Sequence, residues 1–368
     1  MNIPFYNIDR YYSSHKENIN ALVEKIFDSG KVLSGNEVNE FEESISSFCN
    51  RKYAVSVGSC TDALFFALLS CGILPGDEVI ITGFSFIASV TPILRAGAVP
   101  VFLDIDPDYF TMDISHIEDM ITPRTRAILA VHLFGQMLPV NELSSIAEKH
   151  KLILIEDAAQ ALGSEYNGKR AGSTGQCSCI SFDPSKIISS FGNGGVLLTD
   201  DEEIYKKAIS LRYHGKNSEN GDFEFPGYNS RMSSLQAAIA NYQLADINRL
   251  IYERNKIANK YMHAFNSVRQ VTPPPRMNSL ANIYHKYVVK AEKRDELAKY
   301  LKKEGIEVMI HYTHALFEYG IFKDYPFRCD KIKNIHEVKK QVLSLPVYPE
   351  LTDEETDFII NKVTGFYS

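Results

Sequence analysis

The sequence of 368 residues lacks a hydrophobic run long enough to cross a membrane. Its longest apolar stretch, residues 63–74, is interrupted by Ser70 and Gly72, whereas a spanning helix needs about 20 apolar residues. The first residues lack a basic region followed by an apolar one, so we expect no signal peptide. Basic residues are not in excess, since 39 Lys and Arg stand against 46 Asp and Glu. The net charge of −7 predicts no general attraction to nucleic acid or to an anionic membrane.

Cysteines are few and scattered. The six are too dispersed for a disulfide framework, and the one close pair, Cys177 and Cys179, has no second pair to complete a zinc site. His311 and His314 come without an accompanying carboxylate motif, so they read as polar contacts and not as metal ligands. We therefore expect a cytoplasmic protein without a metal.

Three signatures of nucleotide or ester chemistry are also missing. The string most similar to G-x-G-x-x-G is at residues 192–195. It precedes a predicted strand, whereas the glycines of a dinucleotide site precede a helix. Gly30-Lys31 and Gly168-Lys169 are not followed by Ser or Thr, so there is no P-loop, and no G-x-S-x-G elbow occurs. These absences disfavour an NAD-dependent dehydrogenase, a P-loop NTPase and an α/β-hydrolase.

The sequence does contain a regular alternation of strand and helix patterns. Apolar spacing predicts one helix that ends at Gly30 and a second that ends near Phe48. The later alternation is typical of βαβ units, so we predict an α/β fold with a mostly parallel sheet. The predicted strands cover residues 53–57, 78–82, 99–103, 126–131, 152–155, 179–182 and 195–199.

A long helical region is predicted from about Ser233 to about Asn266, before a proline-rich break at residues 271–275. Beyond it the pattern is α+β. With roughly 150 residues per domain as a prior, we expect a large domain over residues 1–250 and a small C-terminal domain over residues 251–368, with the N-terminal segment packing on the small one. The predicted elements of the second domain are a strand at 284–290, a helix at 292–304, a strand at 306–310 and a helix from Asp353.

Two motifs follow predicted strands and open onto small polar residues. Backbone N–H groups around Ser59 and Thr61 could hold a phosphate at the start of a helix, although either residue could simply be an N-cap. The strand at 152–155 delivers Glu156 and Asp157 to its carboxyl end, where open α/β sheets bind ligands. Asp157 could pair with a protonated ring nitrogen of a cofactor, or it could cap a helix.

Two further motifs lie downstream. Lys186 follows a strand among Ser, Asp and Pro residues, and a lysine there can form a Schiff base if its pKa is lowered. The alternative for a single lysine is a solvated loop charge. Residues 226–232 form a turn of small and polar residues before the long helix, and an ordinary capping loop is the alternative there. In this order, a phosphate cradle, a ring-nitrogen carboxylate and a Schiff-base lysine describe a pyridoxal 5′-phosphate (PLP) site.

The sequence resembles the DegT/DnrJ/EryC1/StrS family of sugar aminotransferases, over nearly the whole chain. Glu-Asp-Ala-Ala-Gln at 156–160, Ser-Phe-x-Pro-x-Lys at 181–186 and Gly-Tyr-Asn-x-Arg at 227–231 carry the resemblance. It implies the three-layer PLP-transferase fold of type I, with a large domain and a smaller α+β domain. Two departures are Cys60, where the family usually has Gly, and Asn193, where it usually has an acidic residue.

The resemblance implies a role for each matching residue. Lys186 matches the lysine that binds PLP as a Schiff base, and Asp157 matches the carboxylate beside the pyridine nitrogen. Gln160 matches the residue near the phenolic oxygen of PLP, and Phe86 matches the aromatic residue stacked on the ring, with core packing as its alternative. Cys60, Thr61 and Ser181 match residues that bind the phosphate, and Asn229 matches a residue that reaches the phosphate from the partner subunit of a homodimer. Arg231, His311 and Tyr312 match residues that contact the substrate.

The implied activity is transfer of an amino group, with L-glutamate as the expected donor, to a nucleotide-linked (dTDP, UDP or GDP) keto-deoxysugar in amino-sugar and polysaccharide biosynthesis. The ketone would be at C3 or C4, and Ser230, in place of an aromatic residue, favours C3. Lys186 disfavours a dehydratase branch that carries His there, and the cysteines do not match an iron–sulfur branch. A PLP-binding regulatory or sensor protein on the same fold and an NAD-dependent sugar oxidoreductase are the alternatives.

Overall fold

The computed structural model describes residues 1–217, 219–276, 279–329 and 331–368. Its α-helices are α1 (Ile8–Ser29), α2 (Asn36–Phe48), α3 (Cys60–Ser70), α4 (Thr91–Arg95), α5 (Ile117–Met120), α6 (Val140–His150), α7 (Glu202–Arg212), α8 (Ser234–Leu244), α9 (Ile247–Phe265), α10 (Arg294–Lys303), α11 (Asn334–Gln341) and α12 (Asp353–Phe366). Its strands are β1 (Tyr53–Val57), β2 (Glu78–Thr82), β3 (Val99–Leu103), β4 (Thr125–Val131), β5 (Ile153–Asp157), β6 (Glu165–Tyr166), β7 (Lys169–Arg170), β8 (Cys177–Ser181), β9 (Gly195–Thr199), β10 (Val271–Thr272), β11 (Leu280–Ala281), β12 (Tyr287–Ala291), β13 (Arg328–Cys329) and β14 (Val342–Leu345).

A mixed sheet forms the centre of the molecule. Within the described residues it has eight strands in the order β1-β9-β8-β5-β4-β2-β3-β13. The pairs from β13 to β8 are parallel, and β9 runs antiparallel to both of its neighbours. The predicted α/β class and mostly parallel sheet are therefore confirmed. Since β1, β2, β4, β5 and β8 all run the same way, their carboxyl ends meet at one edge of the sheet.

Burial explains why these short segments are strands. Every residue of β2, β8 and β9 is buried, as are the last four residues of β5. Strands covered by helices on both faces are expected to be apolar throughout, without alternation of apolar and polar residues. On one face lies α3, whose residues from Ala63 to Leu68 are all buried.

A smaller sheet, β10-β12-β14, forms a second unit with α9, α10 and α12. The N-terminal segment contacts it, because Ile3 donates its N–H to the carbonyl of Gly305 and accepts from the N–H of Glu307. Ile3 is fully buried in this unit's core. The division of the chain at residue 250 falls within α9 and stays a prediction.

Most predicted elements are confirmed to within a few residues, and Gly30 ends α1 with the positive φ of 66° that glycine favours. Two predictions are wrong. The helical region from 233 to 266 is two helices, separated between Leu244 and Ile247. Residues 306–310 form no strand and make only isolated bridges, Ile306 with Ile3 and Met309 with Ser344. In the described ranges, no helix is both long enough and apolar enough to span a membrane.

Candidate active site

A cleft of about 690 Å³ lies at the edge where the parallel strands end. Residues from the ends of β1, β4, β5 and β8 line one side, and residues 309–313 together with Lys286 line another. Most of the residues singled out from the sequence meet here. The cleft is lined by Cys60, Thr61, Phe86, Asp157, Gln160, Ser181, Lys186, His311 and Tyr312, whereas Asn229 and Arg231 do not line it.

Asp157 is the last residue of β5 and its side chain is buried in the cleft floor. One carboxylate oxygen accepts a hydrogen bond from Ser89 Oγ at 2.6 Å, and the other accepts from the N–H of Ala159 at 3.2 Å. Burial raises the pKa of Asp157, while these hydrogen bonds and the nearby Lys186 oppose the rise. Residues 159–163 form turns, so Asp157 caps no helix. A cation placed beside Asp157 would stabilise its charged form.

Lys186 lies in the turn that follows β8 and is half-buried. The turn is held by Asp183, whose carbonyl accepts the N–H of Lys186 and whose carboxylate accepts from Ser185. Burial lowers the pKa of the Lys186 amine, while the charges of Asp183 and Asp157 raise it. The net lowering favours the uncharged, nucleophilic amine that Schiff-base formation requires.

The first turn of α3 provides an anion site. Ser59 is the N-cap, because its Oγ accepts the N–H of Asp62 at 3.1 Å. The N–H groups of Cys60 and Thr61 have no acceptor in the described part of the chain, and both residues face the cleft. Gly195 packs so closely behind them that a Cβ there would lie 2.4 Å from the backbone nitrogen of Cys60. A phosphate fits this position because it would satisfy both N–H groups and the helix dipole.

Aromatic side chains and an amide complete the walls. Phe86 is 55% exposed, so core packing does not explain it, and its ring stacks at 6.4 Å from that of Tyr312. Gln160 donates to the hydroxyl of Tyr312 at 3.2 Å and accepts the N–H of Phe134. His311 contacts Ser344 Oγ through Nδ1 at 2.8 Å, and burial with the nearby Lys286 and Lys186 lowers its pKa to about 3.

The turn at residues 227–231 lies outside this cleft. Asn229 is exposed and forms a backbone bridge with Tyr213. The guanidinium of Arg231 lies 4.6 Å from the centre of the Tyr213 ring. Ser230 connects the turn to the anion site, since it accepts the N–H of Gly58 and donates to Asp62.

Sequence reasoning missed Ser89, His132 and Lys286, which also line the cleft. His132 follows β4, the neighbour of β5, so the rule that ligands bind at carboxyl ends of strands could have found it. Ser89 ends a 3-10 helix and Lys286 immediately precedes β12, and no spacing in the sequence relates them to the site.

The residues of the cleft fit PLP. The free N–H groups of α3 suit its phosphate, the exposed face of Phe86 suits an aromatic ring, and Asp157 suits a protonated pyridine nitrogen. Lys186 supplies the amine. Among the described residues, no group of three or more His, Cys, Asp or Glu is arranged to hold a metal ion.

Comparison with known proteins agrees with this arrangement. The family model for the DegT/DnrJ/EryC1/StrS aminotransferases matches residues 13–364. The chain is 33% identical to the dTDP-3-amino-3,4,6-trideoxy-alpha-D-glucose transaminase of Streptomyces venezuelae, over 98% of this chain and 95% of that one. It is 35% identical to the pleiotropic regulatory protein of Geobacillus stearothermophilus, over 100% and 99% of the two chains.

A solved structure has a similar sequence identity to this chain and nearly the same fold. The crystal structure of DesV from S. venezuelae superposes with a TM-score of 0.96 at 32% identity, covering 100% of this chain and 99% of that one. The predicted fold is thereby confirmed. The chain belongs to the DegT/DnrJ/EryC1/StrS aminotransferase family.

Proposed function

We propose that this protein uses PLP to transfer an amino group from L-glutamate to a ketone, at C3 or C4, of a nucleotide-linked deoxysugar. The observation that carries the proposal is the meeting of Lys186, Asp157 and the free N–H groups of α3 in one cleft. The 3-amino sugar in the name of the S. venezuelae relative favours C3. The product would enter amino-sugar or polysaccharide biosynthesis, in the cytoplasm.

Bound PLP supplies an electron sink for the carbanion that forms when the α-carbon of the donor loses its proton. In our proposal Lys186 takes that proton and returns it, as its lowered pKa suits a general base. Asp157, oriented by Ser89, would hold a proton on the pyridine nitrogen. Phe86 would cover one face of the ring, and Gln160 would lie near the phenolic oxygen.

The remaining roles concern phosphate, substrate and assembly. Cys60, Thr61 and Ser181 would bind the phosphate, with Asn229 of a second subunit completing the site. This supports a homodimer, because Asn229 is exposed and outside the cleft of its own chain. Arg231, His311 and Tyr312 would contact the sugar substrate. The division into a cofactor-binding domain over 1–250 and a small domain over 251–368 is part of the same proposal.

A regulatory role has to be considered because one relative is named a pleiotropic regulatory protein. The lowered pKa of Lys186 and the hydrogen-bonded Asp157 favour catalysis, since ligand sensing alone requires neither.

A single experiment distinguishes an aminotransferase from a PLP-binding sensor. Protein reconstituted with PLP should show the visible absorption of a lysine-bound cofactor, and L-glutamate should abolish that band within a turnover. Lys186→Ala should show neither the band nor the response. A stable band that no amino acid changes would favour the sensor.

A further inference from the structure

Lys286 is a cation of the cleft for which the described part of the chain provides no counter-ion. It precedes β12 and is half-buried, and it lines the same cleft as Lys186. Among the described residues, no carboxylate lies within 4 Å of its ammonium group and no acceptor hydrogen-bonds to it. Its Nζ lies 5.1 Å from the centre of the Phe5 ring, a contact that positions the charge without neutralising it.

The carboxylates that line the cleft are already engaged. Asp157 accepts from Ser89 and Ala159, and Asp183 accepts from Ser185. Arg254, a nearby cation that is itself buried, donates to the carbonyl of Val347 at 2.6 Å. An ammonium group partly withdrawn from water without a partner is costly unless a ligand supplies the negative charge.

Burial and the neighbouring Lys186 and Arg254 lower the pKa of Lys286 to about 7, while Asp183 acts to raise it. An anion beside Lys286 would reverse this lowering. The phosphate of PLP would be held at the start of α3, which leaves Lys286 for a different anionic group.

We propose that Lys286 binds a carboxylate of the substrate. This rests on the proposed function, in which the amino donor brings a carboxylate next to Lys186. A second source of the same chemistry is a uronic acid carboxylate on the sugar. Lys286 would act by binding and orienting its ligand.

The test compares Lys286→Met with Lys286→Arg, which keeps the charge. Lys290→Met is the matched control, because Lys290 lies in the following strand and pairs at the surface with Asp108 at 2.7 Å. Binding of glutarate, a dicarboxylate without an amine, is measured on the PLP-loaded proteins by calorimetry. Lys286→Met should weaken glutarate binding by about 10-fold to 100-fold, the usual effect of losing a hydrogen bond to a charged group. Lys286→Arg should restore most of it, and Lys290→Met should bind normally.

Kinetics identify the source of the carboxylate. A rise in KM for L-glutamate, with an unchanged KM for the keto sugar, assigns the site to the amino donor. A rise confined to keto sugars that carry a uronic acid assigns it to the sugar. Unchanged glutarate binding and unchanged KM values in a folded Lys286→Met protein would overturn the proposal, as would weakened binding of a nucleoside diphosphate alone. If the wild-type protein reacts with no amino acid, the proposed function fails, which is a different result from a reactive wild type with an unaffected variant.

Discussion

Replacing Glu156 by Gln should destabilise the protein strongly although Glu156 is not proposed to touch any ligand. Glu156 is fully buried beside Asp157. Its Oε2 accepts from His132 Nε2 at 2.8 Å and from the N–H of Gly172 at 3.0 Å. Its Oε1 accepts from the N–H of Thr174 at 2.5 Å and from Thr174 Oγ at 2.6 Å. His132 is a donor here because its Nδ1 accepts the N–H of Leu138 at 3.2 Å.

The magnitude follows from these contacts. A Gln amide must direct its NH₂ group at one of the two donor pairs, so either orientation leaves a buried backbone N–H, of Gly172 or Thr174, without an acceptor. An unsatisfied buried group costs about 1–3 kcal/mol, and the remaining hydrogen bonds lose the charge that strengthened them. We expect the free energy of unfolding to fall by about 2–4 kcal/mol.

The assay is urea unfolding of wild type and variant at the same protein and cofactor concentrations. Glu165→Gln is the control, because Glu165 forms a half-exposed pair with Arg170 at 3.0 Å and should change stability by less than about 1 kcal/mol. A loss below about 1 kcal/mol for Glu156→Gln would refute the reasoning.

The same site predicts a pH effect. Burial acts to raise the pKa of Glu156, but the hydrogen bonds from His132, Thr174 and Gly172 outweigh it and the pKa lies below its usual value. A lowered folded-state pKa adds stability above the unfolded value of about 4.3, which is lost as the pH falls through the folded value. The difference in the free energy of unfolding between wild type and Glu156→Gln should therefore become smaller as the pH falls.

Two further predictions concern catalysis. Asp157→Asn removes the anion proposed to keep the pyridine nitrogen protonated, so turnover should fall by at least about 100-fold while urea unfolding stays cooperative; near-normal turnover would leave Asp157 with a structural role only. If Asn229 serves the partner's cofactor, a mixed dimer of Lys186→Ala and Asn229→Asp has one site with both lesions and one with neither. Co-expressed and purified by two tags, that dimer should recover up to about half of wild-type activity, whereas either variant alone should be inactive. A verified mixed dimer without activity would mean that Asn229 does not act in trans.

The sequence predicted the sheet well because its strands are short apolar runs between turns. β1, β2, β3 and β9 have the predicted bounds, because short apolar runs between turns are typical of strands buried on both faces of a sheet. The break between α8 and α9 was missed because Ala245 and Asp246 interrupt no apolar period. The strand predicted at residues 306–310 does not form, since these residues pair with Ile3 and Ser344 only through single bridges.

The site was predictable where its residues follow strand ends. Asp157 and Ser181 end two neighbouring buried strands of one sheet, and Lys186 lies in the turn after the second, so their proximity follows from topology. Lys286 was not predictable, because its approach to Lys186 depends on how residues 309–313 and β12 pack over the sheet edge. Long-range packing of this kind leaves no local pattern in a sequence.

The measurement that tests the central claim most directly is to locate the covalently bound cofactor. Protein loaded with PLP is reduced with borohydride, digested and examined by mass spectrometry. We predict a single pyridoxyl adduct on the peptide that contains Lys186, lost when L-glutamate is added before reduction. Lys286 in the same cleft is an internal competitor, because its pKa is also lowered. An adduct on Lys286, or no adduct on either lysine, would contradict the account.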